Sequence, residues 1–165
     1  MTTKPYNVLF LCTANSARSV MSEGVLNVLG KGRFRCFSAG SKPSGRVNPH
    51  AIAMLDTIGY DTGALRSKSW DEFGGPDAPQ MDLIITVCGN AKNEVCPIWP
   101  GHPTSAHWGY EDPHGETDEE KRASFEKIFA QIQHRTAYFL SLGDEALSPE
   151  NIKETARKVG EFKVD

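Results

Sequence analysis

No stretch of this 165-residue chain approaches the ~18 consecutive apolar residues that a membrane span requires. Lys and Arg form no long run, and 18 of them against 21 Asp and Glu leave a formal net charge of −3. That balance excludes a basic footprint for nucleic acid or for an anionic membrane surface. An anionic ligand must therefore be attracted locally. No internal repeat and no low-complexity tract is present. Close cysteine pairs of the Cys-x2-Cys or Cys-x4-Cys kind are also missing, so Cys88, Cys96, His102 and His107 do not read as a zinc site, and no metal is expected. Met1 to Tyr6 leads directly into an apolar stretch without a signal-peptide core, which gives a cytoplasmic expectation. In a reducing compartment four cysteines are more often catalytic or redox-active than structural. With no strong apolar surface stripe, the expected state is a monomer built as a single domain over residues 1–165, with a helical extension at about 143–165.

The informative segment is Cys12-Thr13-Ala14-Asn15-Ser16-Ala17-Arg18, followed by Ser19. Asn7 to Leu11 before it, apolar from Val8 onward, has the signature of a buried parallel strand. Ser19 to Leu29 after it carries apolar residues at helical spacing. A cysteine and an arginine thus bracket a short loop between a strand end and a helix start. Its backbone N–H groups can ring a tetrahedral oxyanion, and Arg18 can grip two oxygens in fork geometry. A thiol near a helix N-terminus and an arginine has its pKa lowered, into a range of about 3.5 to 7.5. Ser19 is placed to donate a hydrogen bond to the thiolate. The chemistry is nucleophilic attack by sulfur on a phosphate-shaped oxyanion.

Further along, Arg33 to Phe37 reads as a second strand followed by Ser38-Ala39-Gly40-Ser41. Asn48-Pro49 reads as a helix start running to Ile58, with Gly59 ending it. Asp82 to Val87 is a third buried strand with Cys88 at its C-terminal end, and Ala106 to Trp108 a short fourth. A long helix is expected from Asp118 to Leu142 and a last one from Pro149 to Val159. This order implies an α/β fold: a four-stranded parallel sheet with helices on both faces. Ligands of such sheets bind beyond the carboxyl ends of the strands, where Cys12, Cys88 and the loop holding Asp112 all fall.

Seven residues separate Cys88 from Cys96 in a Gly/Asn/Pro-containing loop. A strand-end thiol facing Cys12 can attack an adduct formed there, and a second thiol on the loop can carry the oxidation outward. Cys36, mid-strand, reads as a small buried hydrophobe. Expelling an oxide from a phosphorus or arsenic centre needs a proton donor, and Asp112, ahead of the stiffening Pro113, is the candidate, with Glu111 as its competitor.

The loop, with Ser22-Glu23-Gly24, Phe37-Ser38-Ala39-Gly40, Asn48-Pro49, Val87-Cys88, Cys96-Pro97, His107-Trp108-Gly109 and Asp112-Pro113, resembles the low-molecular-weight protein tyrosine phosphatase fold. Within it the chain is most similar to the arsenate reductases built on that fold. The resemblance runs from Asn7 to about Leu142. It implies reduction of arsenate to arsenite, with Cys12, Arg18, Asp112, Cys88 and Cys96 as catalytic residues and Thr13, Ala14, Asn15, Ser16, Ala17, Arg18 and Ser19 around the oxyanion. It implies no tightly bound cofactor but an external thiol reductant, either thioredoxin or glutathione with glutaredoxin. The spacing of Cys88 and Cys96, one residue longer than is usual for thioredoxin-coupled members, leaves that choice open. Phosphotyrosine phosphatases of this fold follow the aspartate-proline with tyrosines. Here stand His114-Gly115-Glu116, which favours a small inorganic oxyanion over an aryl phosphate.

The alternatives are a phosphatase hydrolysing phosphate monoesters and a non-catalytic oxyanion or redox sensor. Some thioredoxin-coupled members bind potassium beside the loop through residues resembling Asn15, Glu23 and Ser38, together with an aspartate. Lys68 stands where that aspartate would be, so its ammonium either pairs with Glu23 in place of the cation or is a solvated loop lysine.

Overall fold

The computed structural model describes residues 4–88 and 99–162. Four parallel strands form one sheet: β1 (Tyr6–Cys12), β2 (Phe34–Gly40), β3 (Leu83–Thr86) and β4 (Ala106–His107), in spatial order β2-β1-β3-β4. Every residue of β1 has a partner in β2, from Tyr6 opposite Phe34 to Cys12 opposite Gly40, and this is why β2 continues three residues beyond the expected Phe37. β3 is shorter than the run Asp82–Val87, because its ladder with β1 begins at Val8–Leu83 and closes at Leu11–Thr86.

Strand alternation sorts the side chains into two cores. Val8, Phe10, Cys12, Leu83, Ile85 and Val87 face one way, and there meet α1 (Arg18–Leu29), α2 (Pro49–Asp56), α3 (Asp118–Ser141) and α5 (Ile152–Val159). Leu9, Leu11, Ala39 and Ile84 face the other way, where among the described residues the covering helix is a single 3-10 turn, Trp70–Phe73, packed with Phe37, Met81 and Trp99. Trp70 and Trp99 stack with ring centroids 5.5 Å apart and planes 7° from parallel, and His102 stacks on Trp99. A short α4 (Gly143–Ala146) links α3 to α5.

Local signals set the starts of two helices. Asn48 caps α2 by accepting from the His50 amide at 2.9 Å, with Pro49 in the first turn. Thr117 caps α3 by accepting from the Glu120 amide, ahead of Asp118, Glu119 and Glu120 in the first turn, where carboxylates suit the helix dipole. α2 stops at Asp56, two residues short of Ile58, and α5 starts at Ile152, past Pro149. Among the described residues no helix is long and apolar enough to cross a membrane.

β1 lies between β2 and β3, so the chain leaves its C-terminal end toward one neighbour while the other neighbour arrives by a separate route. This is the switch point at which open α/β sheets leave a crevice. Cys12 stands at that end of β1, and Cys88 two residues past the end of the adjacent β3.

Candidate active site

The loop between β1 and α1 is held from several sides. The carbonyls of Cys12, Thr13, Ala14 and Ser16 accept from the amides of Ser41, Lys42, Ser44 and Asn48 at 2.8–3.3 Å. Ser67 Oγ donates to the Ala14 carbonyl at 2.9 Å. These bonds turn the loop's carbonyls outward. Gly40 makes the approach possible, since a Cβ there would collide with the Thr13 carbonyl oxygen. Thr13, Ala14 and Ser16 are half-buried, whereas Cys12, Asn15, Ala17, Arg18 and Ser19 are buried.

Asn15 fixes the curl. Its φ of 49° lies in the left-handed region, which asparagine tolerates better than most residues. Its side chain is fully engaged: Oδ1 accepts from the Lys68 amide at 2.9 Å, and Nδ2 donates to Ser19 Oγ at 2.8 Å. With Ser19 Oγ accepting from Asn15, its own O–H is left to point at Cys12 Sγ, 3.0 Å away. The Asn15 amide also donates to Sγ, at 3.3 Å. Two donors therefore converge on the sulfur, the arrangement that would hold a thiolate. α1 has no side-chain cap at its N-terminus, so its first-turn amides have no local side-chain partner and can serve an anion.

Arg18 lies nearly buried over the site. Nη1 donates to the Tyr110 carbonyl at 3.0 Å, and Nη2 lies 3.5 Å from Asp112 Oδ1. Asp112 is largely exposed, its side chain keeping 74 % of its accessible surface. Of the two neighbouring acids, it is Asp112 and not Glu111 that pairs with the arginine. The loop carrying it is tied to β3: the Trp108 amide donates to the Thr86 carbonyl and the Tyr110 amide to the Val87 carbonyl.

Cys88 is buried in the same apolar cluster as Cys12. It is disulfide-bonded, while Cys12 and Cys36 are free, so the bond at Cys88 does not involve Cys12. Cys96 lies outside the described residues. Cys36 is buried beside Glu23, and burial pushes its thiol well above 9, as suits an inert core side chain.

Glu23 and Ser38 meet directly, Ser38 Oγ donating to Oε1 at 2.6 Å, and Tyr60 Oη donates to Oε2 at 3.2 Å. Both carboxylate oxygens are thus taken by protein donors, and Asn15 Oδ1 by the Lys68 amide. Among the described residues no group of three or more His, Cys, Asp or Glu that could hold a metal ion occurs. Lys68 Nζ donates to the Arg66 carbonyl at 3.2 Å, and it acts on Glu23 through space, without contact. Partial burial lowers the pKa of Lys68, and the Glu23 charge opposes that shift.

Burial raises the pKa of Glu23, against the lowering effects of Ser38, Lys68 and Tyr60. Below the ordinary value of 4.5 the carboxyl is protonated in both folded and unfolded chains. Above it the unfolded chain gives up the proton more readily, so this group's contribution to stability falls as pH rises through the folded pKa. Glu23→Gln removes the titration. The melting temperature of the variant relative to the unmodified protein should therefore rise from pH 4 toward neutrality and then level off. Parallel melting curves at all pH values would contradict this.

Sequence reasoning did not find Tyr60, Ser67 or the Tyr110 carbonyl, which reach the site from loops without periodicity. Ser67 had the only local signal, being in the polar run Arg66-Ser67-Lys68-Ser69.

A cysteine under two donors, an arginine facing an aspartate, and a second, disulfide-bonded sulfur at the adjacent strand end together fit thiol attack on an oxyanion. Residues 7–156 match the family model described as low molecular weight phosphotyrosine protein phosphatase. The chain belongs to that family. Within the family it is similar to the arsenate reductase of Bacillus subtilis, 33% identical over 138 residues that cover 82% of this chain and 96% of the relative. It is 36% identical to the arsenate reductase of Halalkalibacterium halodurans over 138 residues, with the same two coverages. The crystal structure of an arsenate reductase from Archaeoglobus fulgidus superimposes with a TM-score of 0.61 at 28% identity, covering 79% of this chain and 98% of that one. The family match ends at residue 156, inside α5, so the turns that follow are described by this chain's own contacts.

Proposed function

We propose that this protein is an arsenate reductase working through a nucleophilic cysteine and a thiol–disulfide relay. The observation that carries the reading is the pair of sulfurs at neighbouring strand ends: a free Cys12 under hydrogen-bond donors and a disulfide-bonded Cys88. A phosphatase needs only the first.

In the proposed sequence Cys12 Sγ attacks arsenic, forming an S–As bond as an As–O bond breaks, and the departing oxygen takes its proton from Asp112. Arg18, the first-turn amides of α1 and the loop from Thr13 to Ala17 hold the remaining oxygens. Cys88, as thiolate, attacks Cys12 Sγ. An S–S bond forms, the S–As bond breaks with its electron pair passing to arsenic, and arsenite leaves. Cys96 then attacks Cys88 and frees Cys12, and an external thiol reductant, thioredoxin or glutathione with glutaredoxin, reduces the remaining disulfide. A free Cys12 beside an oxidised Cys88 is the pattern expected once the disulfide has moved off the nucleophile. Arsenate-dependent NADPH oxidation, run with each reductant system in turn, tests the reading. Turnover with either supports it, and none with both, from reduced protein, refutes it.

In the same reading Lys68 supplies the positive charge that supports Glu23 and the curl of the loop. Potassium should then stabilise the protein no more than sodium at equal ionic strength. Lys68→Ala should cost about 1 kcal/mol, the upper end for a pair acting through partly solvated space. A potassium-specific rise in melting temperature would restore a cation site, and an inert Lys68→Ala would make the lysine a solvated loop residue.

A further inference from the structure

Arg135 is a buried arginine on the core side of α3, 4% exposed, and no carboxylate lies within ion-pair distance of it among the described residues. Nη1 donates to the Gly109 carbonyl at 3.2 Å, Nη2 donates to the Phe162 carbonyl at 2.7 Å, and the guanidinium carbon lies 4.9 Å above the centre of the Tyr110 ring. Among the described residues neither its Nε nor the Tyr110 hydroxyl makes a hydrogen bond of good geometry, although the guanidinium lies close enough to the hydroxyl to oppose the rise that burial gives the tyrosine's pKa. A buried cation with one unpaired N–H is a poor device for stability, since an apolar side chain of similar volume would avoid the desolvation cost. Its contacts say what else it does. All three lie on two segments: Gly109–Tyr110, directly ahead of Asp112, and the C-terminal turn after α5.

That turn is itself anchored. The Phe162 ring stacks on Tyr138 of α3 at 4.6 Å. Gly160 packs so closely on the His107 carbonyl that a Cβ would collide with it, and Trp108 Nε1 donates to the Ala156 carbonyl at 2.9 Å. Tyr110 in turn offers its carbonyl to Arg18 Nη1. A continuous path therefore runs from Phe162 through Arg135 and Gly109–Tyr110 to Arg18 and Asp112.

We propose that Arg135 is a positioning residue for the proton donor: it clamps the Gly109–Asp112 loop between α3 and the C-terminal turn, and so sets where Asp112 stands relative to Arg18 and the bound oxyanion. This rests on Asp112 being the proton donor of the proposed reaction. The C-terminal turn beyond the family match thereby becomes part of the active-site support.

A double-substitution cycle reads this directly. Arg135→Gln should lower kcat for arsenate about tenfold or more with little change in KM, since a misplacement near 1 Å can cost a hundredfold. In an Asp112→Asn background the same change should have almost no further effect. An equal fold-loss in both backgrounds marks a general structural role and overturns the proposal. Leaving-group dependence gives a second reading. Arg135→Gln should impair hydrolysis of phenyl phosphate more than of 4-nitrophenyl phosphate, whose phenolate departs with little help from an acid. Equal impairment overturns the proposal as well. If Arg135→Gln does not fold, Phe162→Ala replaces it: that ring is partly exposed, and losing its stack on Tyr138 should loosen the carbonyl that Arg135 holds and give the same coupling to Asp112 at smaller amplitude. Failure of the reductase reading is separate. If the unmodified protein turns over no arsenate, the cycle is read on phenyl phosphate, and if Asp112→Asn alone leaves both turnovers intact, the acid assignment falls and the clamp with it.

Discussion

Cys12→Ser should abolish arsenate reduction and aryl phosphate hydrolysis together, by roughly a thousandfold or more, the scale on which removing a catalytic nucleophile acts. At neutral pH a hydroxyl is a far weaker nucleophile than a thiolate, and the donors gathered at this position do not supply a general base to activate it. Those donors are the Ser19 hydroxyl and the Asn15 amide, both suited to a thiolate and neither able to take a proton from an alcohol. The serine still fits the loop, so the variant should bind oxyanion while failing to turn it over. Steady-state assays of both reactions check the first part, and arsenate or phosphate titration checks the second. Substantial turnover in the variant would remove the first step of the mechanism.

Cys88→Ser should separate the two chemistries. Arsenate turnover is lost, because no second thiol reaches Cys12 to release arsenic with its electron pair. Slow hydrolysis of an aryl phosphate persists, because water completes that reaction. Cys88 is fully buried, so a serine there also places a hydroxyl among apolar side chains, at a cost of about 1–3 kcal/mol unless it finds a partner. The comparison is therefore made well below the melting temperature. Arsenate turnover that survives the substitution would mean that an external thiol attacks Cys12 directly.

Much of the fold and the centre of the site were legible in the sequence because their signals are local. Val8–Leu11 is apolar throughout because both faces of β1 are covered, and the loop that follows carries the cysteine, the arginine and the helix start within eight residues. Thr117 and Asn48 stand where their helices begin because a cap needs only its next few amides. The less legible features depend on distant partners. Arg135, between Ile132 and Phe139, breaks the apolar stripe of α3 and reads as a solvent residue until Phe162 folds over it. Tyr60 and Glu23 are thirty-seven positions apart, and nothing next to either announces the bond. Lys68 stands out in the sequence for its charge, yet its backbone amide is what touches Asn15. Among the described residues the second face of the sheet is packed by a 3-10 turn whose Trp70 and Phe73 sit in a polar connection that hides their packing.

The three tryptophans divide between the two faces of the sheet. Trp108 sits in the helical core, bound through Nε1 to the end of α5, whereas Trp70 and Trp99 lie nearly parallel on the opposite side with an imidazole against the second indole. Stacked indoles couple their electronic transitions, and an adjacent imidazole quenches emission. The protein therefore carries two optically distinct reporters. Its fluorescence should be dominated by Trp108 and so follow the seating of the C-terminal helix, while a far-ultraviolet exciton couplet from the stacked pair should follow the opposite face independently.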